Sequence, residues 1–197
     1  MKKHYTLHIE QDTDAPNPRE EYYNLWKKVI FRGNYDYQSD TDMQYLERYS
    51  SDEIQEFLEN GSEPVLMWYP LERGLSLGDL NGDVSESGIA GVFLLYYEDF
   101  IKEYGTDTEE HRQQALRVAE AELVTYMRYC NGEVYGYEIK EHLEDEDGSW
   151  DEDEDEVVDS LWGMYGYDYC KQEGQAQLEW YEAEAEKEFN ERYTVTQ

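Results

Sequence analysis

An α+β fold, an antiparallel sheet with helices packed on it, is what this sequence predicts, on three observations. Residues 4–9 alternate, with Tyr5, Leu7 and Ile9 on one face and His4, Thr6 and His8 on the other, the pattern of a half-buried strand. Two segments rich in Val, Tyr, Ile and Trp, 133–139 and 157–167, flank a polar connection and have the chemistry of a hairpin. Two long stretches, 109–130 and 172–191, carry apolar residues at helical spacing. The remaining elements fall between these. Asp14-Ala-Pro-Asn-Pro18 ends the first strand. The next segment predicts a helix through Tyr22, Leu25, Trp26, Val29 and Ile30 that Gly33 and Asn34 stop, and Arg19, Lys27, Lys28 and Arg32 make it the most basic part of the chain. Ser51 is placed to cap a short helix, 52–60, that Gly61 ends. Residues 64–69 read as a buried strand, and 88–96, the most apolar run, as a central one. A short helix, 97–104, stops at Gly105. Thr106 or Thr108 then caps the longest helix, whose inner face is Leu116, Ala119, Leu123, Met127 and Cys130. The last helix turns Leu178, Tyr181, Ala185 and Phe189 inward. No internal repeat is present, and residues 1–197 read as one domain with an acidic insert at 141–159.

The charge is extreme. Asp and Glu number 48 against 16 Lys and Arg, a formal net charge of −32. High charge with low hydropathy ordinarily signals disorder. Twenty Tyr, five Trp and five Phe argue instead for a folded domain with an acidic shell. Such a shell repels nucleic acid and anionic membranes and attracts basic clefts. No apolar run is long enough to span a bilayer, and the N-terminus lacks the apolar core of a secretory signal. Cys130 and Cys170 are too few for a disulfide framework, so buried free thiols in a reduced, cytoplasmic setting are expected.

Part of the excess is concentrated in one insert. The insert holds Glu144, Asp145, Glu146, Asp147, Asp151, Glu152, Asp153, Glu154, Asp155 and Glu156, and no Lys or Arg lies between Lys140 and Lys171. Asp151, Asp153 and Asp155 have the first spacing of a calcium loop, but Glu156 replaces the turn glycine and Trp162 the bidentate Glu, so no metal site is expected. Asp79 to Asp83 fails the same test at Val84 and Ala90 and reads as a tight turn. Two readings remain for the insert: a solvated loop, or phosphate mimicry. Residues on one face of a strand repeat every ~6.6–6.8 Å, helical i,i+4 neighbours sit ~5–6 Å apart, and phosphates along one DNA strand advance ~3.4 Å. Ordered carboxylates thus approach duplex charge spacing to within a factor of about two.

No catalytic set is legible. The four histidines are scattered, no HExxH or zinc pattern occurs, and GxSxG, GxGxxG before a helix and the P-loop are all missing. Neither an enzyme nor a cofactor is expected. Of the hairpin aromatics, Trp162 is assigned to the core, whereas Tyr165 and Tyr167 are candidates for a partner-binding surface.

Four stretches carry a resemblance: Asn17-Pro-Arg19 with Asn24-Leu-Trp26; Gly88 and Gly91 with Lys102-Glu-Tyr-Gly105; Gly132-Glu-Val-Tyr-Gly-Tyr137; and Asp159-Ser-Leu-Trp-Gly-Met-Tyr-Gly166. Together they cover most of the chain and are similar to a family of uncharacterised acidic proteins of bacteriophages and other mobile elements. The insert is longer here than in that family, and Leu161 stands where the family more often has cysteine. The resemblance implies a mobile-element origin and transfers no catalytic residue. By analogy with acidic proteins that mimic DNA, it implies a counter-defence protein that blocks the nucleic-acid cleft of a host restriction or CRISPR nuclease. The expected partner is therefore a basic nucleic-acid-binding protein, met by the insert and by Glu179, Glu182 and Glu186 of the last helix. The rival expectations are an acidic shell adapted to high salt and an assembly or chaperone module for a basic protein.

Overall fold

The computed structural model describes residues 3–31, 37–61, 64–82, 84, 88–143 and 156–194. Its order is β1 (Lys3–Gln11), α1 (Pro18–Glu21), β2 (Lys27–Ile30), a 3-10 turn (Gln44–Arg48), α2 (Ser51–Asn60), β3 (Val65–Glu72), β4 (Ile89–Tyr96), α3 (Tyr97–Tyr104), α4 (Glu109–Cys130), β5 (Val134–Leu143), β6 (Glu156–Tyr165) and α5 (Tyr167–Thr194). The fold is α+β, with two three-stranded antiparallel sheets in place of one. By its contacts the chain divides into two compact units, Met1–Pro16 with Asn131–Gln197, and Asn17–Cys130, so that the second is an insertion in the first.

The inserted unit is built on β4, the middle strand of the order β2-β4-β3. Val92 and Leu94 pack with Val29, Trp68, Ile54 and Leu58 on the α2 side. Phe93 and Leu95 pack with Trp26, Tyr69, Phe100, Ala119 and Leu123 on the α3 and α4 side. Burial on both faces is why the strand reads as an unbroken apolar run. Gly91 makes the closest approach: a Cβ there would lie 1.9 Å from the carbonyl oxygen of Val29. Gly105, at φ +77°, ends α3 in the left-handed region that glycine tolerates. Thr108 caps α4, its hydroxyl accepting from the His111 N–H at 3.2 Å.

Three local expectations are corrected in this unit. The apolar residues of 22–30 lie in no helix. Asn17 caps the single turn α1, and the chain then extends into β2, where Lys27–Ile30 pair with Gly91–Leu94. Tertiary pairing overrides the helical spacing. The cap of α2 is Ser50, one residue before the expected Ser51, in a reciprocal capping box with Glu53. On α4 the buried residues are Ala115, Ala119, Leu123 and Tyr126; Leu116 and Met127 are only partly buried, and Cys130 is exposed. Residues 79–82 form the expected turn, closed by the Gly82 N–H on the Asp79 carbonyl at 3.0 Å.

The other unit has strand order β1-β5-β6 with α5 across one face. Tyr5, Leu7 and Ile9 of β1 meet Tyr137, Ile139, Cys170, Leu178 and Tyr181. The first-strand alternation and the hairpin both stand as read. Gly174 allows the helix to settle on the sheet, for a Cβ there would lie 2.6 Å from Leu7 Cδ1. Helix α5 begins at Tyr167, before the expected residue 172, so Tyr167 and Tyr169 belong to the helix and not to the hairpin. Phe189 is exposed. Trp162, assigned to the core, is 41% exposed and lies over the backbone of Gly136, where a Cβ would come 2.2 Å from its ring. A partner without a side chain is invisible to an apolar-period argument.

Two substitutions test these contacts. Gly91→Ala separates β2 from β4 and lowers stability by about 3 kcal/mol or more, read from urea unfolding. Gly136→Ala expels Trp162 into solvent, which a red shift in tryptophan emission reports, at a smaller cost of about 1–2 kcal/mol because the displaced ring is already half outside.

Candidate functional site

Two constellations stand out chemically, a charged cleft in the inserted unit and an acidic helix face in the other. The cleft has a volume of about 430 Å³ and is lined by Asn17, Arg19, Glu20, Tyr22, Tyr23, Asn24, Lys27, Lys28, Gln38, Ser39, Asp40 and Tyr126. At its floor lie Lys28, fully buried, and Arg19, whose side chain is 4% exposed. The asparagine cap of α1 fixes Arg19, since Asn17 Oδ1 accepts from the Arg19 N–H at 3.0 Å. The guanidinium then spends all its donors inward. Nη1 donates to Asn24 Oδ1 and Glu122 Oε2, both at 2.8 Å. Nη2 donates to the Trp26 carbonyl at 2.6 Å and to Asp40 Oδ2 at 2.5 Å, and Nε to Asp40 Oδ1 at 3.5 Å. Lys28 Nζ donates to the Gln38 carbonyl and, at 3.2 Å, to Asp40 Oδ1, and it stands 4.4 Å from the centre of the Tyr126 ring.

Burial sets the electrostatics. It pushes the Lys28 ammonium below the ordinary lysine value, with Asp40 opposing and Arg19 reinforcing. Burial also opposes the charge on Arg19, but Asp40 and Glu122 outweigh it and hold the guanidinium above its usual value. Burial raises Glu122, against the pull of Arg19 and of the Leu25 and Trp26 N–H groups. Two cations and two carboxylates thus satisfy one another. Such a network acts as a clamp, joining α1, β2, the 38–40 segment and α4. Sequence reading saw a basic segment here and not the cluster; the available signal was Lys28 set directly before the apolar pair Val29 and Ile30.

The acidic face has the opposite character. Glu179, Glu182 and Glu186 are all exposed on α5, and their i, i+3, i+7 spacing puts them on one stripe. They stand about 4.5 and 6 Å apart along the axis. No ion pair to any of them is found among the described residues, whereas Glu184 meets Lys187 at 3.6 Å. Glu156 is exposed at the start of β6. The remaining insert carboxylates, Glu144, Asp145, Glu146, Asp147, Asp151, Glu152, Asp153, Glu154 and Asp155, lie outside the described residues. Of the aromatic candidates, Tyr165 is half-buried and donates its hydroxyl to the Pro16 carbonyl at 3.2 Å, while Tyr167 is 48% exposed and meets Tyr135 edge-on at 5.4 Å. Among the described residues no group of three or more His, Cys, Asp or Glu is placed to hold a metal ion, and no helix is long and apolar enough to cross a membrane.

Arg19→Met leaves Glu122 without its cation and Asp40 with Lys28 alone, and costs about 3–5 kcal/mol. Arg19→Lys restores only part of that, because one ammonium cannot reach four acceptors on different elements. Urea midpoints of the two variants check the order.

No family model matches the chain, and no curated protein or solved structure does either.

Proposed function

We propose that the chain is a counter-defence protein of a phage or mobile element, a non-enzymatic acidic decoy that occupies the nucleic-acid-binding cleft of a host defence nuclease, either a restriction enzyme or a CRISPR effector. The observation that carries this reading is the stripe of Glu179, Glu182 and Glu186, exposed and without ion pairs among the described residues, on a helix of 28 residues. Its spacing lies inside the ~8 Å screening length of physiological salt, so the three carboxylates act on a partner together. A basic groove evolved to hold phosphates at ~3.4 Å intervals meets comparable charge density on this face. Charge-assisted pairing with the Lys and Arg of the groove supplies attraction, and counterion release makes it salt-dependent. Exposed aromatics of the same helix, Trp180 at 54% and Tyr167 at 48%, supply dry contact area that DNA does not offer.

A second reading draws on a different observation. Exposed carboxylates also cover the inserted unit, among them Asp52, Glu53 and Glu56 on α2 and Glu109, Glu110 and Glu120 on α4. An acidic shell of that breadth favours adaptation to high salt, in which the carboxylates keep an ordinary protein hydrated.

Competition for DNA binding by a purified restriction or CRISPR nuclease separates the two. The decoy weakens DNA binding at low ionic strength, and raising salt relieves it. Replacing Glu179, Glu182 and Glu186 by Gln, or Glu152, Glu154 and Glu156 by Gln, reduces inhibition about tenfold or more with unchanged circular dichroism. Neutral variants that inhibit as well as the parent sink the decoy reading. A protein that inhibits nothing and folds only in molar salt is the outcome the salt reading expects.

A further inference from the structure

The two sheets present four outer strand edges, and the chain treats them differently. In the inserted unit both edges are covered from within. The 38–40 segment lies along β2, where the Asp40 N–H donates to the Lys28 carbonyl at 2.7 Å and the Lys28 N–H to Asp40 Oδ2 at 2.7 Å. The turn after β3 folds back on that strand through the Gly78 N–H on the Pro70 carbonyl at 2.8 Å and the Asn81 N–H on the Trp68 carbonyl at 3.0 Å. In the other unit β1 forms one edge and opens on Lys3, the kind of residue that discourages further pairing.

The remaining edge is β6. It is ten residues long and contains neither Lys, Arg nor Pro. Two bulges interrupt its ladder with β5, Tyr181 donates its hydroxyl to the Val158 carbonyl at 3.2 Å and the Gly163 N–H donates to Asp12 Oδ2 at 3.0 Å, but among the described residues no strand pairs with its outer side. It also exposes Val157, Leu161 and Trp162 at 47, 49 and 41%. An edge with exposed apolar side chains and no neighbouring strand is a template for another strand over the regular stretch between its bulges, Asp159–Leu161.

We propose that the outer edge of β6 accepts an extended segment of a basic protein, with Lys or Arg alternating with apolar residues, as an added strand of this sheet. The inference rests on the reading of the chain as a binder of basic proteins and names how such a partner is held. Charge selects the occupant. A second copy would bring together two chains of formal charge −32, each with its acidic run ending in Glu156 beside the strand. A cationic segment meets attraction instead. The faces set its pattern. Asp159 pairs with Ile139 and lies on the α5 side, where Asp159 and Glu173 both act on the Tyr137 hydroxyl. Val157 pairs with Lys140, and Trp162 lies over Gly136, both on the opposite side. A residue of an added strand that lies beside Asp159 on the α5 face thus meets carboxylates, while its neighbours on the other face meet Trp162. Main-chain hydrogen bonds give the affinity and the alternation gives the selectivity.

The test uses the full chain and a fluorescein-labelled octapeptide of alternating Lys and Val, followed by fluorescence anisotropy. A control peptide of the same sequence has its alternate backbone amides N-methylated, which keeps the charge and removes the donors of the ladder. The unmethylated peptide binds about tenfold tighter or more. Equal binding of the two overturns strand addition while leaving charge-driven capture of basic partners intact; binding of neither overturns both. The site is located by variants of equal charge change. Val157→Lys with Leu161→Lys weakens the unmethylated peptide about tenfold, whereas Glu182→Gln with Glu186→Gln weakens it less than about threefold. If the helix variant weakens it as much as the strand variant, the edge is not the site and the proposal fails.

Discussion

Self-repulsion is the constraint under which this chain folds. With 48 acidic against 16 basic residues, a formal excess of 32 negative charges has no cation available to neutralise it. Water and salt moderate the cost, since charges beyond about 8 Å are largely screened. The remainder is offset by burial, and the two cores are built for it. In the inserted unit Trp26 stacks on Phe93 at 5.4 Å and meets Tyr69 at 5.7 Å, with its indole N–H satisfied by the Ala115 carbonyl at 2.9 Å. In the other unit a single helix covers three strands through Leu178, Tyr181 and Cys170. Aromatic side chains give much apolar area per residue, and a chain this rich in acids has few positions left for its core.

The same constraint explains where scarce cations go. Arg19 and Lys28 are placed inside, each against Asp40, instead of being distributed over the acidic shell. A buried ion pair seldom adds net stability over an apolar replacement, because desolvation consumes the Coulombic gain. Its value here is positional. Asp40 receives the Lys28 backbone N–H as well as both cationic side chains, so one carboxylate fixes the register of β2 and the path of the 38–40 segment together. Glu122 does the same for the turn before β2, accepting from the Leu25 N–H at 2.6 Å and from Arg19. Because the two cations are matched by two carboxylates, the rest of the molecule keeps the whole formal excess of −32.

The proposed function rests on that surface more than on any pocket. In the cleft the Arg19 guanidinium is already bound to the chain. On the other unit α5 presents unneutralised carboxylates along about 42 Å of regular helix, and β6 presents an open edge with apolar side chains. A rigid helix holds its charges at fixed intervals where a loop would let them spread apart. An edge strand adds what charge does not supply, a direction and a register. Together they are the features on which the proposed basic, partly extended partner rests.

Much of this was legible in the sequence because it is local. The alternation of Tyr5, Leu7 and Ile9, the apolar run of β4, the glycine stop at Gly105 and the stripe of Glu179, Glu182 and Glu186 each depend on neighbours within a few residues, and periodicity or backbone preference reports them directly. What the tertiary structure decided depends on residues far apart in the chain. The spacing of Leu25, Trp26, Val29 and Ile30 satisfies a helix, yet β4 offers a strand partner, and ladder hydrogen bonds with burial on both faces outweigh a local preference worth a few tenths of a kcal/mol per residue. Trp162 packs on a glycine that contributes no side chain to any pattern, and the division into two sheets follows from which strands find each other. Arg19, Lys28, Asp40 and Glu122 lie up to 103 positions apart, as in the Arg19–Glu122 pair, and only a folded chain brings such charges close enough for their attraction to exceed the cost of leaving water.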